Sequence, residues 1–126
     1  MTIFWRLFLA HLLSDFALQF NAVNAFKRKS VYGMLIHCLT HFIVSAALVR
    51  AELGAVWFGL GPLKATGWEA LGLMFVLHFL IDEMRIYSMK CLGYRDGTLS
   101  FLADQCLHVY VLFLISPMIN SGYGFL

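Results

Sequence analysis

The sequence is short of charge. Lysine and arginine number 9, aspartate and glutamate 7, and charged residues fill only 13% of the 126 positions. Soluble domains carry about 25%. The net charge of +2 offers no face for a polyanion, which excludes nucleic acid as a partner. Cysteine is scarce as well. Cys38, Cys91 and Cys106 form no C-x-x-C pair, so neither a disulfide framework nor a zinc ribbon is expected, and they read as reduced, small core residues. What fills the chain instead is apolar: 61% hydrophobic residues and a mean hydropathy of +0.79. A short domain has too poor a ratio of interior to surface to hide that much apolar area. A soluble monomer and a disordered chain are both excluded, and membrane lipid must be part of the solvent.

A membrane-spanning helix needs about 20 mostly apolar residues. Four segments qualify: Thr2–Phe20, Val31–Val49, Gly67–Ser88 and Leu99–Ile119. They predict an all-α, four-helix transmembrane bundle in one domain, 1–126. Ser30 and Thr98 each precede an apolar run and are expected to cap the helices they open. Asp15 within the first apolar run, and the lack of an A-x-A site after it, argue against a signal peptide. Lys27, Arg28, Lys29, Arg85, Lys90 and Arg95 fall on one side of the membrane, and only Arg6, Arg50 and Lys64 on the other. Cytoplasmic loops collect the positive charge, so both termini face outward and the basic turns lie in the cytosol. Trp57 and Trp68 read as an interfacial belt in the outer loop, 50–66.

The ionisable residues inside the spans are ordered. Span one holds His11 and Asp15, span two His37 and His41, span three His78 and Asp82, span four Asp104 and His108. Each pair is spaced i, i+4, on one helix face and about 6 Å apart along the axis. His11 precedes His37 by 26 positions, His78 precedes Asp104 by 26, and a shift of 67 carries the first half onto the second, Arg28 onto Arg95 included. The chain thus reads as a duplicated helical hairpin, with repeats of about 1–49 and 67–126 and a pseudo-twofold axis along the membrane normal. All four pairs fall in the cytoplasmic half of the bilayer. Asp15, His37, Asp82 and Asp104 form a carboxylate-rich layer, and His11, His41, His78 and His108 form a histidine layer one turn deeper.

Burying three carboxylates and five imidazoles in hydrocarbon is costly unless something satisfies them. Hydrogen bonds between helices are the plainest answer, but four pairs at one depth exceed what such glue needs. A divalent metal offsets carboxylate charge and accepts neutral imidazole, and soluble four-helix bundles build dinuclear sites in this way. The eight residues are therefore candidate ligands for one or two ions, with two favoured. Zinc is the first choice, and iron or manganese also suits the donors. A haem is disfavoured, because aspartates lie one turn from the histidines where a porphyrin needs an apolar slot. Gln19 and Gln105 are candidates for orienting ligands from behind. Lys27, Arg28, Lys29 and Arg95 are candidates for holding a phosphate headgroup at the mouth.

The string His11-Leu-Leu-Ser-Asp15-Phe-Ala-Leu-Gln19, the His37-x3-His41 pair, His78-Phe-Leu-Ile-Asp82 and Asp104-Gln105-x2-His108 resemble a family of small four-span bacterial and phage membrane proteins of unassigned function. The resemblance covers nearly the whole chain and implies a bacterial inner membrane, but it supplies no reaction. More distantly, the His/Asp content resembles membrane-bound metal-dependent hydrolases, and H-x3-D within a span resembles the site of cation-diffusion zinc transporters.

Three functions follow. A metal-dependent hydrolase of a lipid or phosphoester would use one or two ions to acidify a water and polarise a phosphoryl oxygen, with Asp15, Asp82, Asp104 or Glu83 as base. Eight ligands on two tetrahedral ions would leave no open position, and closed sites are structural, so catalysis needs a bridging or released ligand. A divalent-cation transporter or channel is the alternative. It would need a homo-oligomer, because four short helices leave little room for alternating access. A structural or regulatory metal-binding membrane protein is the third.

Overall fold

The computed structural model describes residues 2–18, 21–60, 62–93 and 97–117, and these are mostly helical. Helix α1 is Ile3–Leu12, α2 Asn21–Lys29, α3 Val31–Leu48, α4 Gly67–Cys91 and α5 Thr98–Ile115. Strands β1 (Val56–Leu60) and β2 (Leu63–Thr66) form a small antiparallel sheet between α3 and α4. Helices α3 and α5 are long and apolar enough to cross a membrane. Helix α4 is longer, at 25 residues, but it carries Glu69, Asp82, Glu83, Arg85 and Lys90. Helix α1 is shorter, and it continues into a wide π-helical turn over Leu13–Ala17.

Local chemistry explains most of the ends. Ser30 caps α3 as expected, its hydroxyl accepting from the Tyr32 N–H. Thr98 does not cap α5. It is the first helical residue, and the cap position falls on Gly97 with no side-chain bond. The strongest cap was not anticipated: Thr66 and Glu69 form a reciprocal capping box that starts α4. Helix α2 replaces what reads in sequence as a polar connection. Its last turn holds Lys27, Arg28 and Lys29, where cations complement the helix dipole. A Cβ on Gly33 would collide with the Phe26 carbonyl and lie 2.8 Å from the Lys27 nitrogen, so glycine lets α2 lie directly against the start of α3.

Helix α1 packs on α3 and α5, and α4 packs on the same two, in a closed cyclic order. The interior has two unlike ends. Leu7, Val49, Leu53, Trp57, Ala70, Leu71, Met74, Val111, Leu112 and Ile115 form one apolar cluster at the end nearer the N-terminus. The other end is polar, and every histidine is buried there. Large apolar side chains face outward instead, among them Ile36, Leu39 and Ile43 on α3 and Leu102, Leu107 and Phe113 on α5.

The connection after α3 is folded onto the apolar end. Arg6 grips Glu52 with two bonds, Nη2 to Oε1 at 2.6 Å and Nη1 to Oε2 at 3.0 Å, and Trp57 donates to the Glu52 carbonyl at 2.9 Å. Trp57 is therefore a core residue, only 3% exposed, rather than part of a belt; Trp68 does lie on the surface. The cysteines also divide. Cys38 is buried, whereas Cys91 and Cys106 are exposed, so only the first is a core residue.

Candidate metal centre

All eight His and Asp residues of the four pairs converge at the polar end. Asp15 sits in the wide turn after α1, where its Oδ1 accepts from His41 Nε2 at 2.9 Å and lies 3.5 Å from His37 Nε2. His37 and His78 bring their Nε2 atoms to 3.2 Å. These four residues form one group whose ligand atoms all lie within 4.8 Å of one another. A second group, His78, Asp82 and His108, meets the same limit and shares His78 with the first. Asp82 Oδ2 is 3.5 Å from His78 Nε2, and Asp82 Oδ1 is 3.7 Å from His108 Nε2.

These spacings fit a small divalent ion. Ligands about 2.1 Å from a tetrahedral centre stand about 3.4 Å apart; the contacts given above run from 2.9 to 3.7 Å, and every pair within a group lies inside 4.8 Å. The tautomer fits too. His108 Nδ1–H donates to the Asp104 carbonyl at 2.9 Å, one turn back on its own helix. That bond leaves Nε2 as a bare lone pair, and Nε2 is buried with no hydrogen-bond partner. A histidine held through one nitrogen with the other presented inward is the usual form of a metal ligand.

The remaining two residues are diverted. By the 67-residue shift, the second group should contain Asp82, Asp104, His108 and His11. Instead His11 Nε2 bonds to Gln105 Oε1 at 3.1 Å, and Asp104 Oδ2 lies 3.4 Å from Arg85. Gln105 also donates to Asp15 Oδ2 at 3.0 Å, so it ties a residue of α1 to a member of the first group. The equivalent of Gln105 in the first half is Cys38, and this difference helps to make the two halves unequal.

A cleft of about 500 Å³ opens directly above the site. Asp15, Asp82, Asp104 and Gln105 line it together with Lys27, Arg28 and Arg85. A far smaller void of about 10 Å³ separates the histidine layer from the apolar cluster, lined in part by Ser45 and Met74. Of the cations expected at the mouth, Lys27 and Arg28 are on the cleft, and Lys29 is exposed and does not line it. Arg95 and Gln19 lie outside the described residues. Glu83 does not line the cleft either. Lys27 sits deeper than a mouth residue. Its Nζ is 2.6 Å from Asp82 Oδ2 and 3.2 Å from His37 Nε2. Arg85, counted by sequence only with the basic turn, reaches Asp104 and lies over the Phe101 ring at 5.6 Å. Its position three residues after Asp82 places it near the same helix face, a signal that was there to be read. Lys27 gave none, because its reach depends on how α2 seats on α3.

No curated protein and no solved structure matches the chain. A family profile does, over residues 3–123, and it spans every pair of the site. The chain belongs to the family described as Protein of unknown function (DUF3307).

Proposed function

We propose that this chain is a membrane-embedded metalloprotein that hydrolyses a lipid or phosphoester substrate. In this reading α1, α3, α4 and α5 are four spans of one bundle, and the His/Asp layer lies in the cytoplasmic half of the bilayer with both termini outside. The inverted distribution of side chains supports the placement: ionisable groups inside, large apolar groups outside. One observation carries the function. Each of the two overlapping ligand groups presents its carboxylate, Asp15 or Asp82, to a cleft that Lys27, Arg28 and Arg85 also line.

The membership of the groups answers the objection that eight ligands would close the site. Only six residues make up the two groups, and Asp104 is left facing the cleft with its Oδ1 unpartnered. Asp104 is thus the carboxylate placed to take a proton from a water. Arg28 and Arg85 stand where an anionic phosphoryl oxygen would need positive charge. Gln105 holds Asp15 and His11 in place, and the apolar cluster seals the far side against water. A divalent ion bound in these groups supplies Lewis acidity toward a phosphoryl oxygen. Transport is less well supported, because the apolar cluster fills the route that a cation would have to follow.

The test is metal content after purification in mild detergent without a metal-affinity column, measured by mass spectrometry. One to two equivalents of zinc, iron or manganese are expected, reduced in His41→Ala. Loaded protein should then release phosphate from phospholipid or isoprenoid-phosphate micelles. Metal near zero, with stability insensitive to chelator, would return the eight residues to a hydrogen-bonded network.

A further inference from the structure

The two ligand groups are not equally free to bind. The first has four members, Asp15, His37, His41 and His78, drawn from three elements. The second has three, and its only carboxylate, Asp82, already holds the Lys27 ammonium at 2.6 Å. Both partners are sheltered, the Lys27 side chain at 13% exposure and Asp82 at 3%. A charge pair so removed from water is weakly screened. Lys27 also touches the first group through His37. That group keeps three other ligands without His37, whereas the second without Asp82 is reduced to two imidazoles.

Lys27 is placed there by the fold. The backbone of Phe26 and Lys27 lies against α3 at Gly33, where a methyl group would not fit. Lys90 from α4 donates to the Arg28 carbonyl at 2.8 Å and ties the end of α2 from the other side. The duplicated half has no counterpart, since the 67-residue shift carries Lys27 onto Tyr94.

We propose that Lys27 governs the second metal position: its ammonium and a divalent cation compete for Asp82, so one ion binds tightly and the second enters only by displacing Lys27 into the cleft. The inference rests on the metal-binding reading and adds to it an unequal pair of sites with a built-in competitor. Displaced, Lys27 faces the same cleft as Arg28 and Arg85 and adds its charge to theirs. Entry of the second ion would therefore also complete the cationic wall.

The experiment is a Zn²⁺ titration of chelator-stripped protein in detergent, followed by calorimetry, on wild type, Lys27→Gln and Lys27→Arg. Wild type should bind a first ion and a second at least tenfold more weakly. Lys27→Gln should tighten the second step about tenfold or more and leave the first unchanged, while Lys27→Arg keeps the wild-type pattern. In wild type itself, acylation of Lys27 by an amine-reactive reagent, read by peptide mass spectrometry, should speed up on the second equivalent and not on the first. This readout needs no variant to fold. Equal affinities in wild type, a second step unmoved or weakened in Lys27→Gln, or Lys27 reactivity indifferent to the second ion would each overturn the proposal. Failure of every protein to bind Zn²⁺ would instead sink the metal reading on which it stands.

Discussion

His78 belongs to both ligand groups, so its loss cannot be confined to one ion. His78→Ala should lower the occupancy of both positions, His41→Ala that of the first alone, and His11→Ala that of neither. Metal-to-protein ratios by mass spectrometry separate the three. Sequence periodicity treats these histidines as equivalent members of one layer, because i, i+4 spacing shows only that two side chains share a face. What distinguishes them is tertiary: Gln105 reaches across from α5 and occupies the ring nitrogen of His11. Gln105 lies about 100° around the helix from Asp104, which left its role open in sequence. Its bonds to His11 and Asp15 make it an orienting residue, and Gln105→Leu should weaken metal binding by about 10- to 100-fold. Competition against a chelator of known affinity measures the loss.

At the scale of elements, the apolar helices were legible from run length, and the boundaries of α3, α4 and α5 agree within a few residues, whereas α1 gives way to the wide turn at Leu13. Three elements were not legible. The wide turn at Leu13–Ala17 takes an extra residue into one turn, with Leu18 N–H bonding to Leu13 O, inside an apolar run that carries no mark of it, although such turns cluster at functional sites. Helix α2 is too polar to register as a span and too short to announce itself otherwise. The β-hairpin lies in a stretch whose Gly, Pro and Trp read only as loop. The hairpin delivers the chain into α4 through the Thr66–Glu69 capping box, and the start of α4 is further fixed by Gly67 N–H bonding to Ala55 O. Thr66→Ala should therefore destabilise the protein by about 1 kcal/mol. The readout is a lowered thermal midpoint in detergent, with metal stoichiometry unchanged because the cap stands at the end remote from the site.

At the scale of the whole molecule, the duplicated pattern predicts two matched halves, and the helices do pack in the expected cyclic order. The halves are nonetheless unlike. The first ends α1 at Leu12 and its wide turn at Ala17, soon after Asp15, whereas α4 runs on to Cys91 and lines the cleft. On the proposed orientation Cys91 lies at the cytosolic edge. In variants keeping only this cysteine, an impermeant maleimide should label inverted vesicles and spare intact cells; the reverse pattern would turn the molecule over in the membrane. The apolar plug beneath the histidines has an electrical consequence. On the proposed placement, with water and salt in the cleft, the cytosolic potential would extend to the His/Asp layer, and the transmembrane voltage would fall almost wholly across the plugged half. Carrying one elementary charge through the full field is worth about 2.3 kcal/mol per 100 mV, but an ion entering from the cytosol would cross little of it. On the proposed placement, metal affinity measured from the cleft side of proteoliposomes should therefore stay the same whether the membrane is at rest or polarised, so that occupancy would follow the cytosolic metal concentration and not the membrane voltage.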